Sequence, residues 1–218
     1  MQATTGYIGP LIGLAGVLTG ACIAYLSGAA SSRRAFNADR INRSLDYCTE
    51  VIHSAEQQVI LYSRINEEIH AFIDAANAAV RAGEQPRVDF VVTERDQERL
   101  ASATDAWRMV LAKRIVWAPA ELSAAISAFD DQRDLAARAY NETRLDDFRT
   151  ACASLDRKAM LMRAAVQGCV LDANEHLARD QLLGPARWRE LRKVRRTRSQ
   201  YEKWRARLLA EPGADSAP

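Results

Sequence analysis

The sequence predicts an all-α protein in which a single N-terminal transmembrane helix continues into a long helix of a cytosolic antiparallel helical bundle or coiled coil. Three observations predict this architecture. Residues 7–30 contain no charged side chain, and residues 31–82 contain neither Gly nor Pro. Two long segments also carry apolar residues at alternating spacings of four and three, which is the period of packed helices. The 218 residues are enough for one anchor and one helical domain.

The uncharged segment Tyr7–Ala30 predicts the transmembrane helix. Its 24 residues, at about 1.5 Å each, cover about 36 Å and exceed the ~30 Å hydrocarbon core of a bilayer. A cleaved signal peptide would need basic residues before the apolar segment, and residues 1–6 have none. Cleavage at Gly28-Ala29-Ala30 is the less favoured alternative. The positive-inside rule places residues 1–6 outside the cell inner membrane and the rest of the chain in the cytoplasm, because four arginines follow the segment closely: Arg33, Arg34, Arg40 and Arg43.

Glycines recur within the predicted span at the spacing of one helix face. Gly9 and Gly13 form one GxxxG pair, and Gly16 and Gly20 form another. Such pairs let two helix backbones approach closely in lipid, so they indicate self-association of the span into a homo-oligomer. The same pattern also arises by chance in Gly-rich spans, which leaves a monomer as the alternative.

The first long segment predicts one helix with a packed seam that ends near Gly83. The seam packs either against another chain or against downstream helices of the same chain, and Asn66 is the one polar residue in it. The predicted seam consists of Ile41, Leu45, Cys48, Ile52, Ala55, Val59, Tyr62, Asn66, Ile69, Ile73, Ala76 and Val80.

Two shorter helices are predicted next. Residues 88–92 are expected to form an extended connector that packs Phe90 and Val92 onto helices, and Thr93 with Asp96 resembles a helix-capping arrangement. Pro119 suits the first position of the third helix. The predicted core residues of these two helices are Leu100, Ala103, Trp107, Val110, Leu111, Ile115, Leu122, Ala125, Ile126, Phe129, Ala136 and Tyr140.

A second long seam follows the two shorter helices. Short connections force neighbouring helices to run in opposite directions, and the aromatic residues need a core, so the sequence favours an antiparallel bundle over residues 31–182. A basic amphipathic helix over 183–211 and a disordered tail over 212–218 complete the prediction. The second seam consists of Leu145, Phe148, Cys152, Leu155, Ala159, Met162, Val166, Cys169, Ala173 and His176.

Catalytic, cofactor-binding and metal-binding residues are not expected. Glu50-x-x-His53 and Glu67-x-x-His70 resemble the ligand pairs of di-iron bundles, but both lie on one predicted helix and point about 260° apart. The chain contains no Gly-rich phosphate loop, nucleophile elbow or HExxH motif. The cysteines show no metal-ligand spacing and are interpreted as small, mostly buried residues in a reducing compartment. The 26 Arg and 4 Lys residues favour a GC-rich bacterial genome.

Charge is distributed unevenly along the chain. Residues 35–182 carry a net charge of −6, whereas residues 183–218 carry +6. On a helical wheel of the last helix, one side gathers Leu191, Val194, Tyr201, Trp204, Leu208 and Leu209. Six basic residues gather on the opposite side, and they predict contact with anionic lipid or nucleic acid. They are Arg189, Arg192, Lys193, Arg196, Lys203 and Arg207.

Four roles are open to this basic helix. Anionic lipid is favoured over nucleic acid, because the anchor already holds the helix near lipid. The acidic body of the protein could instead bind the helix as an intramolecular lid, or the helix could be a final bundle helix with a solvated face.

The sequence as a whole therefore indicates a single-pass membrane-anchored helical interaction protein: a scaffold, adaptor or oligomeric sensor subunit with an unidentified protein partner. The first alternative is a membrane-tethered nucleic-acid-binding protein acting through the basic helix. The second is a membrane-disrupting effector that oligomerises through its span.

Overall fold

The computed structural model describes residues 8–85, 93–181 and 184–210; for residues 8–23, Leu26 and Gln181 it describes the backbone alone. The predicted connector over 88–92, the N-terminal residues 1–6 and the tail over 212–218 lie outside the described residues.

Helices make up nearly all of the described chain. In order they are α1 (Ile8–Arg81), α2 (Glu94–Trp117), α3 (Ala120–Asn141), α4 (Leu145–Gln181) and α5 (Gly184–Ala210). No strand occurs within residues 8–85, 93–181 and 184–210. The predicted all-α class and the packed helical bundle are confirmed.

Helices α1 and α2 form an antiparallel pair. Ser44 Oγ donates a hydrogen bond to the carbonyl oxygen of Trp117 at 3.3 Å. Further along α1, Tyr47 Oη donates to the carbonyl oxygen of Val110 at 3.0 Å. The residue numbers rise on one helix as they fall on the other. Gly83 has a φ of +73° at the end of α1, a left-handed conformation that glycine adopts without a steric penalty.

Helix α4 runs antiparallel to both α1 and α3 and lies between them. Arg163 forms an ion pair with Glu56 of α1 at 2.8 Å. On the other side, Gln132 Nε2 of α3 donates a hydrogen bond to the carbonyl oxygen of Ala151 at 3.2 Å. The lower part of α1 extends beyond the bundle, because every described side chain from Ala24 to Phe36 is exposed.

Aromatic side chains fill the middle of the bundle. Trp107 and Phe129 pack with ring centroids 4.8 Å apart, and Tyr62 and Phe148 lie 6.1 Å apart. Burial of these residues supplies much of the apolar surface that stabilises the fold. The core also contains Val51, Ile65, Ile69, Val110, Leu122, Ile126, Leu155, Met162 and Val166.

The α1 seam packs within the chain, but only four of its twelve predicted positions are buried. Cys48, Ala55, Tyr62 and Ile69 form a buried row with a spacing of seven. The second buried row is Val51, Gln58 and Ile65, whereas the predicted second row, which includes Leu45, Ile52, Val59 and Asn66, is only half-buried. The predicted row lies on the other side of the first one. Helix α1 has neighbours on two sides, α2 and α4, and it buries the part of its surface that faces both of them. The spacing of apolar residues alone does not show which part of the surface that is.

Other predicted core residues lie at the surface. Ile115 is 90% exposed, Val80 is exposed near the end of α1, and His176 is exposed on α4. Each of these residues lies near a helix end or on an outward face, where no neighbouring helix covers it. Pro119 is the N-cap residue of α3 rather than its first helical residue. Thr93 caps α2 as predicted, since its hydroxyl accepts a hydrogen bond from the Asp96 amide.

The described side chains include no helical segment that is both long enough and apolar enough to cross a membrane. Most side chains of the predicted span, those of residues 8–23 and Leu26, are not among the described ones.

Candidate functional site

The candidate site is the outward face of α5. Gly184 has a φ of +61° at the start of this helix, so the chain reverses direction there without the strain that a side chain would cause. Pro185 follows in the first turn, where its missing N–H leaves no hydrogen bond unmade. Helix α5 then returns along α4 in the opposite direction.

One side of α5 docks on the bundle. Val194 and Leu208 are buried, and the Tyr201 hydroxyl donates a hydrogen bond to the carbonyl oxygen of Ala164 at 2.8 Å. Leu191 is half-buried on the same side. Of the apolar side predicted from the wheel, Trp204 and Leu209 instead remain exposed.

Arginines also hold α5 in place. Arg198 Nη2 lies 2.6 Å from Asp172 and 2.9 Å from Glu175, both on α4. These carboxylates, chiefly Asp172 through its hydrogen bond, raise the pKa of Arg198 above its usual value. Arg205 lies 3.4 Å from Glu121 on α3. Part of the acidic body therefore binds α5, but through arginines outside the predicted contact set.

The six predicted contact residues are all exposed: Arg189, Arg192, Lys193, Arg196, Lys203 and Arg207. Five of them lie opposite the docked side of α5, whereas Lys193 lies on its flank and lines a groove between α4 and α5. None of them forms an ion pair with another residue in the described part of the chain. Helix α5 contains ten basic and two acidic side chains. Unpaired cations displayed on one face of a rigid helix form a surface that attracts anions.

The docking arginines are the part of this site that sequence reasoning did not separate from the rest. Arg198 and Arg205 are the same residue type as the exposed arginines. Their positions on the wheel lie among Val194, Tyr201 and Leu208, however, and this placement on the apolar side is the signal that distinguishes them.

Both side chains of the first pair that resembles metal ligands have other partners. Glu50 binds Lys113 at 2.7 Å, and the imidazole of His53 is hydrogen-bonded to Gln57 at 2.9 Å. No group of three His, Cys, Asp or Glu side chains suited to a metal ion occurs among the described residues. Cys48 is buried, while Cys152 and Cys169 are half-buried, and all three are free thiols.

Two pairs of adjacent acidic residues, Asp130-Asp131 and Asp146-Asp147, lie at the surface or in ion pairs. Asp130 accepts a hydrogen bond from the Trp107 indole at 2.8 Å and lies 3.1 Å from Arg133. Asp147 is paired with Arg144 near the start of α4. These partners give both carboxylates a structural role.

No family model, curated protein or solved structure matches the chain.

Proposed function

We propose that the protein is a single-pass, membrane-anchored helical interaction protein that acts as a scaffold, adaptor or oligomeric sensor subunit without catalysis of its own. In this proposal residues 7–30 cross the inner membrane and the bundle lies in the cytoplasm. The continuity of α1 is the observation that carries it. Because α1 runs unbroken from Ile8 to Arg81, an inserted first part would hold the bundle through a helical stem and would fix its distance from the bilayer.

The arginines beside the proposed span support the orientation. Arg33, Arg34 and Arg40 are exposed on the projecting part of α1 and form no ion pair with another described residue. Arg43 is paired with Asp39 at 3.0 Å. Unpaired arginines next to a span favour the cytoplasmic side.

Extraction of native membranes at alkaline pH tests the anchor. We expect the full chain to stay in the membrane pellet, and protease added to inside-out vesicles to digest the bundle. The double variant Leu14→Arg, Leu18→Arg should move to the soluble fraction, because each Arg near the centre of a span costs about 2.5–3.5 kcal/mol on insertion scales. Release of the unmodified chain into the supernatant would contradict the proposal.

The glycine face of the proposed span, through which two copies would pair, continues along α1 into the bundle. On a straight α-helix, positions 36 residues apart are ten turns apart and share a face. Gly9, Gly13, Gly16 and Gly20 therefore share a face with Leu45, Thr49, Ile52 and Glu56, which line an open groove between α1 and α4. Two copies that paired through their glycines would place these grooves on the same side as the span interface.

Chemical crosslinking of the full chain in native membranes tests the assembly. We expect a crosslinked dimer that Gly16→Leu reduces, because a large side chain separates the two backbones. Ala15→Leu is the matched control, since position 15 points about 130° away from the middle of the glycine face. Equal crosslinking in both variants would show that the glycines are not the interface.

A further inference from the structure

The geometry points to the first half of α5, together with the part of α1 at the same height above the span, as a surface that contacts the anionic headgroups of the same bilayer that anchors the protein. This inference rests on the proposed membrane anchor and names the partner of the basic helix. The surface, termed here the basic end, consists of Arg33, Arg34, Arg40, Arg189, Arg192 and Lys193.

The pairing of α4 with α1 shows how far the end of α4 lies from the predicted span. This height, measured along the axis of α1, is called its level. Arg163 lies opposite Glu56, and the two helices are antiparallel. Gln181 is 18 residues beyond Arg163, and 18 residues before Glu56 is Ala38. The end of α4 therefore lies near the level of Ala38, only eight residues above Ala30.

The level of α5 follows in the same way. Arg198 lies opposite Asp172, so Trp188, ten residues earlier, lies at the level of the end of α4. Lys203 and Arg207 lie further from the span than Arg198. Helix α5 therefore starts next to the proposed membrane and runs away from it.

These levels convert into distances from the bilayer if α1 is upright. Trp188 and Arg189 lie about 10–12 Å above the end of the span, and Arg192 and Lys193 about 16–18 Å above it, at about 1.5 Å per residue. The headgroup region extends about 5–7 Å beyond the hydrocarbon core. Trp188 and Arg189 therefore lie about 3–7 Å from the headgroups, which is within one Debye length of about 8–10 Å. Arg192 and Lys193 lie about 9–13 Å from the headgroups, which is about one Debye length or slightly more.

The far end of α5 is out of range. Lys203 and Arg207 lie about 33–39 Å above the end of the span, which is several Debye lengths beyond the headgroups. Arg189, Arg192 and Lys193 are therefore close enough to be attracted by the negative surface of the leaflet. Lys203 and Arg207 are too far away.

The charge of the basic end fits an anionic leaflet. All six of its basic side chains are exposed and form no ion pair with another described residue. The unpaired acidic residues at this level are Asp180 and Glu190, which are also exposed. The excess of cations complements the negative surface of a cytoplasmic leaflet.

Trp188 adds an apolar contact at the same level. Its side chain is 70% exposed although the indole is large, and it lies between Arg187 and Arg189 in the sequence. Tryptophan prefers the headgroup region, where the ring is in an apolar environment and the N–H in a polar one.

Photocrosslinking of the full chain in lipid vesicles tests the inference. A benzophenone amino acid replaces either Trp188 or Trp204, which are exposed aromatic residues 16 positions apart on the same helix. In vesicles with 30% phosphatidylserine we expect at least fivefold more lipid adduct from position 188 than from position 204. The adduct from position 188 should fall at least threefold in pure phosphatidylcholine and at 1 M salt.

Charge variants separate the basic end from the remainder of the helix. Arg189→Ala, Arg192→Ala, Lys193→Ala together should reduce the adduct from position 188 at least fivefold. Lys203→Ala, Arg207→Ala is the control pair and should leave it unchanged. Equal loss in both sets would overturn the inference, because it would indicate an effect of net charge and not of position.

The outcomes distinguish this inference from the proposed anchor. A chain that resists alkaline extraction but gives equal adducts at positions 188 and 204, or equal adducts in anionic and neutral vesicles, overturns the inference and leaves the anchor intact. Extraction of the chain from the vesicles would contradict the anchor itself. A duplex DNA fragment that abolishes the adduct at physiological salt would assign the basic end to nucleic acid and would also overturn the inference.

Discussion

Tyr201 on α5 lies directly over Gly168 on α4, so closely that a Cβ atom at position 168 would come within 3.0 Å of Tyr201 Oη. The same hydroxyl donates its hydrogen bond to the carbonyl oxygen of Ala164. The absence of a side chain at Gly168 thus gives the tyrosine room to reach the α4 backbone. A side chain at position 168 would therefore push the two helices apart at this point.

We expect Gly168→Leu to release α5 from the bundle. The larger side chain would occupy the space of the Tyr201 ring and break its hydrogen bond, while leucine favours the helical conformation of α4 more than glycine does. Hydrogen exchange of the full chain in detergent measures the effect. Amides of residues 184–210 should exchange at least tenfold faster.

Gln167→Leu is the control for this change, because Gln167 is exposed on the neighbouring position of α4. It should leave exchange in α5 unaltered. Unchanged protection of α5 in Gly168→Leu would mean that the ion pairs of Arg198 and the burial of Val194 hold the helix without Tyr201.

The two sides of α5 illustrate what periodicity can predict. Val194 and Leu208 face the bundle as the helical wheel indicated, because a single helix that packs on one neighbour has one buried strip. The exposure of Trp204 and Leu209 could not be predicted, since it depends on how wide a strip of α5 the helix α4 covers.

Helix α1 shows the limit of the same reasoning. Its buried row of Cys48, Ala55 and Tyr62 was predicted, whereas burial of Gln58 and half-exposure of Ile52 were not. The pattern favours apolar positions, but α2 and α4 on two sides of α1 decide which flank is covered. The contact of α5 with Gly168 likewise depends on tertiary packing, which sequence spacing does not encode.

We expect that replacing the buried Gln58 by leucine stabilises the protein. Its side chain is 0% exposed, and neither its Oε1 nor its Nε2 has a hydrogen-bond partner among the described residues. A buried amide without partners costs about 1–3 kcal/mol. Gln58→Leu, which is similar in size and apolar, should therefore raise the free energy of unfolding by about that amount and the Tm by about 2–4 °C per kcal/mol.

Gln132→Leu is the matched control for Gln58→Leu. The Gln132 amide donates a hydrogen bond to the carbonyl oxygen of Ala151, so its loss should lower the Tm. Thermal unfolding followed by circular dichroism in detergent measures both variants. A lower Tm for Gln58→Leu would indicate that the amide is satisfied in solution.

We expect the protein to lose stability when Trp107 is replaced by phenylalanine, although the side chain remains aromatic. Its side chain is fully buried, and the indole N–H donates a hydrogen bond to Asp130 at 2.8 Å. Trp107→Phe removes this bond to a carboxylate, worth about 1.5–3 kcal/mol, and also leaves a cavity. The Tm should fall, whereas Trp188→Phe on the surface should change stability by less than about 0.5 kcal/mol. Equal effects would contradict the assignment.

We expect the contribution of the Asp96 carboxylate to the stability of the protein to depend on pH. A hydrogen bond from the Thr93 hydroxyl lowers the pKa of this carboxyl, and Arg64 and Arg99, at 3.5 and 3.4 Å, lower it further. The folded pKa is below the unfolded value of about 3.9, so the unfolded chain binds more protons in acid. The stabilisation is therefore complete above about pH 5 and is lost as pH falls through the folded pKa.

Urea unfolding of Asp96→Asn and the unmodified chain between pH 7 and pH 2 tests this dependence. The variant should be less stable at pH 7 by an amount that is constant down to about pH 5 and shrinks below about pH 4, as the native carboxylate becomes protonated. Asp105→Asn is the control, because the one ion pair that Asp105 forms among the described residues is a solvent-exposed pair with Arg108, and such pairs contribute little. A stability difference for Asp96→Asn that stays the same at pH 2 would show that the loss comes from packing at the α2 N-terminus and not from the charge.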